Sequence, residues 1–259
     1  MAAPTEKGNT VVAIVYDFET GGLDFAKSAA TQISLHAVRL DTFEVIGKYQ
    51  AYIYPYHYKE NMGKPKRKTL KSKYDDDVAP LMEYSDKSMQ VSGLTMDILY
   101  QHGKPLETVC TEICDFIENN TLPIVATHKP FLVGQNPSFD KGFMQQIMLY
   151  AGLWGRFTKL VRGDNDFWGN FQPTQLDAII LSQLALNDDK SFSSWRLEAV
   201  SEKLGIDLDD AHDADADVTA TREVVRILTA RMRDSNGDGN AVGSLSTEKK
   251  DKLRNHFKI

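Results

Sequence analysis

The stretch Val11-Val12-Ala13-Ile14-Val15-Tyr16-Asp17-Phe18-Glu19-Thr20-Gly21-Gly22 decides how the rest of the chain is read. Its first five residues are apolar and mostly β-branched, the pattern of a buried central strand. Side chains alternate along a strand, so Asp17 and Glu19 leave it on the same side. Two carboxylates placed together at the edge of a core repel each other and lose hydration. A divalent cation held by hard oxygen ligands relieves both problems. The plainer alternative is an acidic strand end with no ligand, because Asp-x-Glu is a short pattern. Gly21 and Gly22 let the backbone turn tightly or approach a ligand closely.

At 259 residues the chain makes one large domain or two small ones. Its 42% apolar and 25% charged residues are those of an ordinary globular protein. No apolar run is long enough to span a membrane, and Met1 to Thr10 lacks the apolar core of a signal peptide. A cytoplasmic location is expected. Cys110 and Cys114 are one helical turn apart, which suits neither a disulfide framework nor a zinc site. Both read as reduced, half-buried helix residues. The net charge of −6 argues mildly against a wholly basic nucleic-acid binder. Metal-ligating carboxylates enter that sum as negative, however, although bound cations invert the local field.

Outward from the opening strand, Gln32 to Leu40 alternates, with Ile33, Leu35 and Ala37 on one face and Ser34 and His36 on the other. It reads as a second strand covered on one side. Lys48 to Tyr54 is a third, close enough for an antiparallel hairpin. From Lys59 to Lys73 the chain is basic, through Lys64, Lys66, Arg67, Lys68 and Lys71, before Asp75-Asp76-Asp77. Such a block reads as a solvated loop or a contact to phosphates. The tyrosines around it (Tyr52, Tyr54, Tyr56, Tyr58 and Tyr74) serve as packing or stack on unpaired bases.

Regular structure is expected to resume near Val91. Leu106, Val109, Cys110, Ile113, Phe116 and Ile117 mark one face of an amphipathic helix. Phe131 to Gly134 reads as a strand, and Phe139 to Leu149 as a helix with Ser138 as N-cap. Residues 155–173 read as a loop. Asp177 to Leu186 and Trp195 to Leu204 are apolar-periodic, with Gly205 capping the second. A long helix is expected from Ala214 to Met232. Asp234 to Leu245 is a Gly-rich linker that matches the first half of an EF-hand loop, but Leu245 replaces the bidentate Glu. A short basic tail follows.

Three clusters join the opening one. Gly134-Gln135-Asn136-Pro137-Ser138-Phe139-Asp140 places Asp140 in the first turn of a helix, where dipole compensation is the bland reading. Ala211-His212-Asp213-Ala214-Asp215-Ala216-Asp217 stands at the entrance of the last helix. Asp213 and Asp215 read there as first-turn residues favoured by the dipole. Asp177 follows Thr174-Gln175-Leu176.

Asp-x-Glu, Asn-x-x-Phe-Asp and His-x-x-x-x-Asp, in that order, resemble the DEDDh branch of the DnaQ-like 3′–5′ exonuclease superfamily. That superfamily includes polymerase proofreading subunits, RNase T and oligoribonuclease. The resemblance spans about residues 11–232. It implies an α/β fold, with a ribonuclease H-like mixed central sheet whose first three strands are antiparallel, flanked by helices. It implies an exonuclease domain over residues 1–233, with the basic insertion at about 55–90, and a linker and tail over 234–259. Asp17, Glu19, Asp140 and Asp217 resemble the four metal-ligating carboxylates, and His212 the general base. Thr20, Gly21, Leu23, Asn136 and Phe139 match substrate-binding positions. Gln135 stands where family members often have His; it is neither ligand nor base.

The implied chemistry is phosphodiester hydrolysis with two divalent ions, Mg²⁺ or Mn²⁺, holding the attacking and departing oxygens. An imidazole, with an ordinary pKa of about 6.5, suits proton removal near neutral pH. The expected substrate is the 3′ end of single-stranded DNA. The alternatives are an exoribonuclease of RNase T or oligoribonuclease type and a catalytically silent module tethered to a DNA polymerase or replication protein.

Overall fold

The computed structural model describes residues 11–59, 79–121, 129–186, 192, 194–208 and 212–233. Strand β1, Val12–Thr20, runs through the middle of a five-stranded sheet. It is longer than its apolar run, because the two carboxylates stay in the ladder. β2, Ala30–Arg39, pairs with it antiparallel, and β3, Val45–Tyr52, pairs antiparallel with β2. On the other side β4, Phe131–Gly134, and β7, Gln175–Asp177, are parallel additions, giving the order β3-β2-β1-β4-β7. This is the mixed sheet, antiparallel over its first three strands, expected of the ribonuclease H-like fold.

The period-two alternation of β1 divides the interior into two cores. Val12, Ile14, Tyr16 and Phe18 face one of them. There they meet α3, Leu106–Asn120, and α4, Pro137–Tyr150, through Val109, Ile113, Phe143 and Ile147. Ala13 and Val15 face the other core. It is closed by α6, Ala178–Leu186, α7, Leu197–Leu204, and α8, Ala214–Arg233. Asp17 and Glu19 continue this second face beyond the apolar part, so the carboxylates emerge beside the start of α8.

Five expectations are corrected. β2 is buried on both faces, because α8 covers the side that carries Ser34 and His36. Regular structure resumes earlier than Val91, with α1 at Asp86–Ser92, capped by Ser85 and ended by the left-handed Gly93; α2, Met96–His102, follows. The N-cap of α4 is Asn136 in a left-handed conformation (φ 57°), so Ser138 lies inside the first turn. Residues 155–173 hold regular structure: α5, Trp154–Leu160, then a hairpin of β5, Gly163–Asn165, and β6, Phe171–Pro173. Cys110 and Cys114 are fully buried free thiols, deeper than the half-buried setting expected. The basic block at residues 60–73, Asp75-Asp76-Asp77, the linker and the tail lie outside the described residues. Among the described residues no helix is long and apolar enough to cross a membrane.

Candidate active site

A cleft of about 430 Å³ opens at the carboxyl end of β1. Asp17 and Glu19 enter it from the strand, Asp140 from the first turn of α4, and Asp217 from the first turn of α8. His212, two residues before α8, completes the rim together with Thr20, Leu23, Gln135 and Phe139. Carboxylate oxygens of Asp17, Glu19 and Asp217 lie within 4.8 Å of one another. Asp140 is buried behind them and accepts a hydrogen bond from the Phe18 amide at 3.2 Å.

The local sequence explains each placement. Gly134 closes on Tyr16 and Pro137, where a Cβ would be only 3.1 Å from the Pro137 ring. Pro137 then starts α4 at once, which sets Asp140 over β1. The Tyr16 hydroxyl donates to the Pro137 carbonyl at 3.1 Å, and the Gln175 amide reaches both groups at 2.8 and 3.0 Å. The His212 turn has φ 74°, a left-handed conformation uncommon for a residue with a Cβ. Its ring nitrogen Nε2 lies 3.9 Å from Glu198, and the side chain is about half exposed.

Electrostatics make the cluster costly as it stands. Burial, then the neighbouring carboxylates, push Asp17 well above the usual carboxylate range. Burial and Asp217 raise Glu19 to about 8. Burial raises Asp140, and burial raises Asp217 to about 6 against the pull of His212. Among the described residues none of the four forms an ion pair with lysine or arginine. An all-oxygen, multiply anionic donor set fits a hard divalent ion.

Two of the sequence-derived residues do not line the cleft. Gly21 packs its Cα against the Glu83–Tyr84 backbone, and its carbonyl accepts the Ser85 amide at 2.7 Å. The Asn136 backbone N–H donates to Asp177 Oδ1 at 3.1 Å. Both shape the turns that deliver their neighbours. The Thr20 hydroxyl is turned onto the Gly22 carbonyl at 2.8 Å. Gln135 lines the cleft but spends its amide on the Trp195 carbonyl at 2.9 Å, tying β4 to the approach of α7. Sequence reading missed Lys87, Ser88 and Val91 of α1, which form one wall. The one signal available was Ser85-Asp86, a cap and an acidic first turn ahead of Gly93.

No protein-family model and no curated protein matches the sequence. The structure is nevertheless similar to solved structures of E. coli exonuclease I. One, in complex with a dT13 oligonucleotide, has a TM-score of 0.59 at 19% identity over 86% of this chain and 42% of that one. Another, described as suggesting how processivity is achieved, has a TM-score of 0.58 at 19% identity over 94% and 46%. A third is a complex with SSB-Ct, with a TM-score of 0.57 at 19% identity over 86% and 42%. This chain therefore spans less than half the length of the exonuclease I chains it matches. At that identity the likeness concerns the fold alone: the chain shares the ribonuclease H-like fold of the exonuclease I structures, and its cleft carries an acidic triad of Asp17, Glu19 and Asp217.

Proposed function

We propose that this protein is a metal-dependent 3′–5′ exonuclease that releases nucleoside 5′-monophosphates from single-stranded DNA. The observation that carries the reading is the convergence of Asp17, Glu19, Asp217 and the buried Asp140 on one cleft, from three elements, none of them ion-paired with a lysine or arginine among the described residues. The oligonucleotides bound in the exonuclease I structures favour DNA over RNA as substrate.

In this reading Asp17, Glu19, Asp140 and Asp217 would hold two ions, Mg²⁺ or Mn²⁺. Bound divalent ions supply charge neutralisation to the phosphodiester and to the departing 3′-oxygen. His212, exposed at the rim, takes a proton from the water that attacks phosphorus. The P–O3′ bond breaks, the new 3′-hydroxyl gains a proton, and the phosphate leaves on the 5′ carbon of the freed nucleotide. Leu23 and Phe139 offer apolar surface to the terminal base. Thr20 shapes the loop beside it.

The test uses 5′-labelled single-stranded DNA and RNA of one sequence with Mg²⁺ or Mn²⁺, and EDTA and Asp17→Ala as controls. A ladder that shortens from the 3′ end of DNA, absent in both controls, is the expected result. Shortening of RNA alone reverses the sugar preference. Cleavage of neither polymer by folded, metal-bound protein overturns the reading.

A further inference from the structure

Three polar residues of β2 stand in a row where α8 covers the sheet: Gln32, Ser34 and His36, all essentially inaccessible to solvent. The register of β1 and β2 pairs Glu19 with Gln32 and Asp17 with Ser34, so this row lies on the carboxylate face of the sheet. A helix packed on a sheet has no need of polar residues there, since apolar ones would bury more cheaply. Each of the three makes a specific bond to the chain around His212. The Gln32 side-chain amide donates to Asp213 Oδ2 at 2.9 Å. The Ser34 hydroxyl donates to Asp215 Oδ1 at 2.9 Å, and His36 Nε2 meets the same oxygen at 2.8 Å.

The other oxygen of Asp213 caps the helix, accepting the amides of Asp215 and Ala216 at 3.0 and 3.2 Å. The Asp213 carbonyl accepts the amide of Asp217 at 3.0 Å. Asp213 thus joins three things: the left-handed turn at His212, the first turn of α8 and β2. Asp213 and Asp215 occupy alternate positions between His212 and Asp217, and neither enters the cleft.

We infer that Gln32, acting through Asp213, and Ser34 with His36, acting through Asp215, are positioning residues that fix the His212 turn and Asp217 over the β1 carboxylates. The inference rests on the nuclease reading given above. Asp213 and Asp215 are more than dipole compensation: they are the two points at which α8 is pinned to the strand beside the site. A non-glycine residue at positive φ persists only where its surroundings over-determine it. Gln32 and Asp213 supply that constraint on the C-terminal side of His212. Partners one step removed from a site commonly change activity by about 10- to 100-fold when removed.

The test compares Gln32→Met, which keeps length and burial but not the donor, with Asp213→Ala and Asp213→Asn. An Asn at 213 still caps the helix and still bonds Gln32 once that amide is flipped. Gln32→Met and Asp213→Ala are expected to lower kcat by about 10- to 100-fold with KM for a DNA oligonucleotide within about twofold, while Asp213→Asn recovers most of the loss. Backbone hydrogen exchange of a peptide covering 212–217 is expected to quicken in Gln32→Met and stay unchanged over β4. The exchange experiment needs no activity. Absence of nuclease activity in the wild type would therefore sink the functional reading while leaving the tie still tested. Unchanged exchange at 212–217 in Gln32→Met, or a kcat within twofold of wild type, overturns the inference. Equal losses in Asp213→Ala and Asp213→Asn do the same for the role of Asp213.

Discussion

Four carboxylates gathered in one cleft leave a measurable trace on stability. Unfolded, such groups titrate near 4. Folded, Asp17, Glu19 and Asp140 hold their protons to higher pH, Glu19 to about 8, because burial opposes ionisation in all three and neighbouring carboxylates add to it at Asp17 and Glu19. A raised folded pKa contributes stability that is present below the unfolded value and lost as pH rises through the folded one. His36 works the other way: burial lowers its pKa, so its contribution grows as pH rises toward neutrality. The comparison must therefore be made between variants. Metal-free wild type is expected to lose Tm between pH 5.5 and 8 more steeply than Asp17→Asn. Mn²⁺ should restore more Tm at pH 8 than at pH 5.5; equal restoration at both would contradict the picture. At the same scale, His212→Ala should lose about 10²–10⁴-fold in turnover while calorimetry shows Mn²⁺ affinity close to wild type. A loss of affinity matching that of Asp17→Ala would remove His212 from the role of base. That Asp17, Glu19, Asp140, Asp217 and His212 would meet in one cleft was legible in the sequence, because their ordered motifs resemble those of a known family. Gln32, Ser34 and His36 were not read as supports, since a polar residue in alternation looks the same whether it faces water or a helix terminus.

Elements were legible in proportion to their length and periodicity. α3 and α8 carry enough apolar repeats to fix their faces, and the apolar start of β1 and the whole of β4 stand out as runs. α1, α2 and α5 are seven residues each, about two turns, too few to establish a period. The strands of the β5–β6 hairpin are three residues each, so its glycines dominate the pattern and suggest a loop. The turn after β1 depends on a close approach. A Cβ on Gly21 would run into the Glu83 carbonyl and lie 3.1 Å from Tyr84 Cα. Gly21→Ala is expected to cost about 1–3 kcal/mol in urea unfolding. It should also weaken turnover, because the same contact fixes the segment leading into α1 and its Lys87 wall. Unchanged stability with unchanged activity would show that the turn yields.

At the level of the whole molecule, β1 is shared by both cores, and neither core can be dismantled alone. Ile147→Ala, on the α4 side, and Leu228→Ala, on the α8 side, each empty a fully buried position. Each is expected to cost about 2–5 kcal/mol. Tryptophan fluorescence and far-ultraviolet circular dichroism should still report one coincident transition. Separate transitions would mean that the two sides of the sheet unfold independently. The mixed topology was legible at this scale through the motif order, which fixes where the site must assemble. The burial of β2 on both faces was not, since it depends on where α8 lies.

The alternation of β1 also makes the protein its own inspector. Along one strand, Tyr16 and Phe18 enter a core while Asp17 and Glu19 enter the cleft. A slip of a single residue in the pairing with β2 would exchange those two sets. Two carboxylates would then face the packed interior, and two aromatic rings would fill the cleft. A misaligned molecule would bury two carboxylates in an apolar core, which favours the register that puts the acids in the cleft. For the nuclease proposed above, the slip that would misplace the acids is also the slip that folding disfavours.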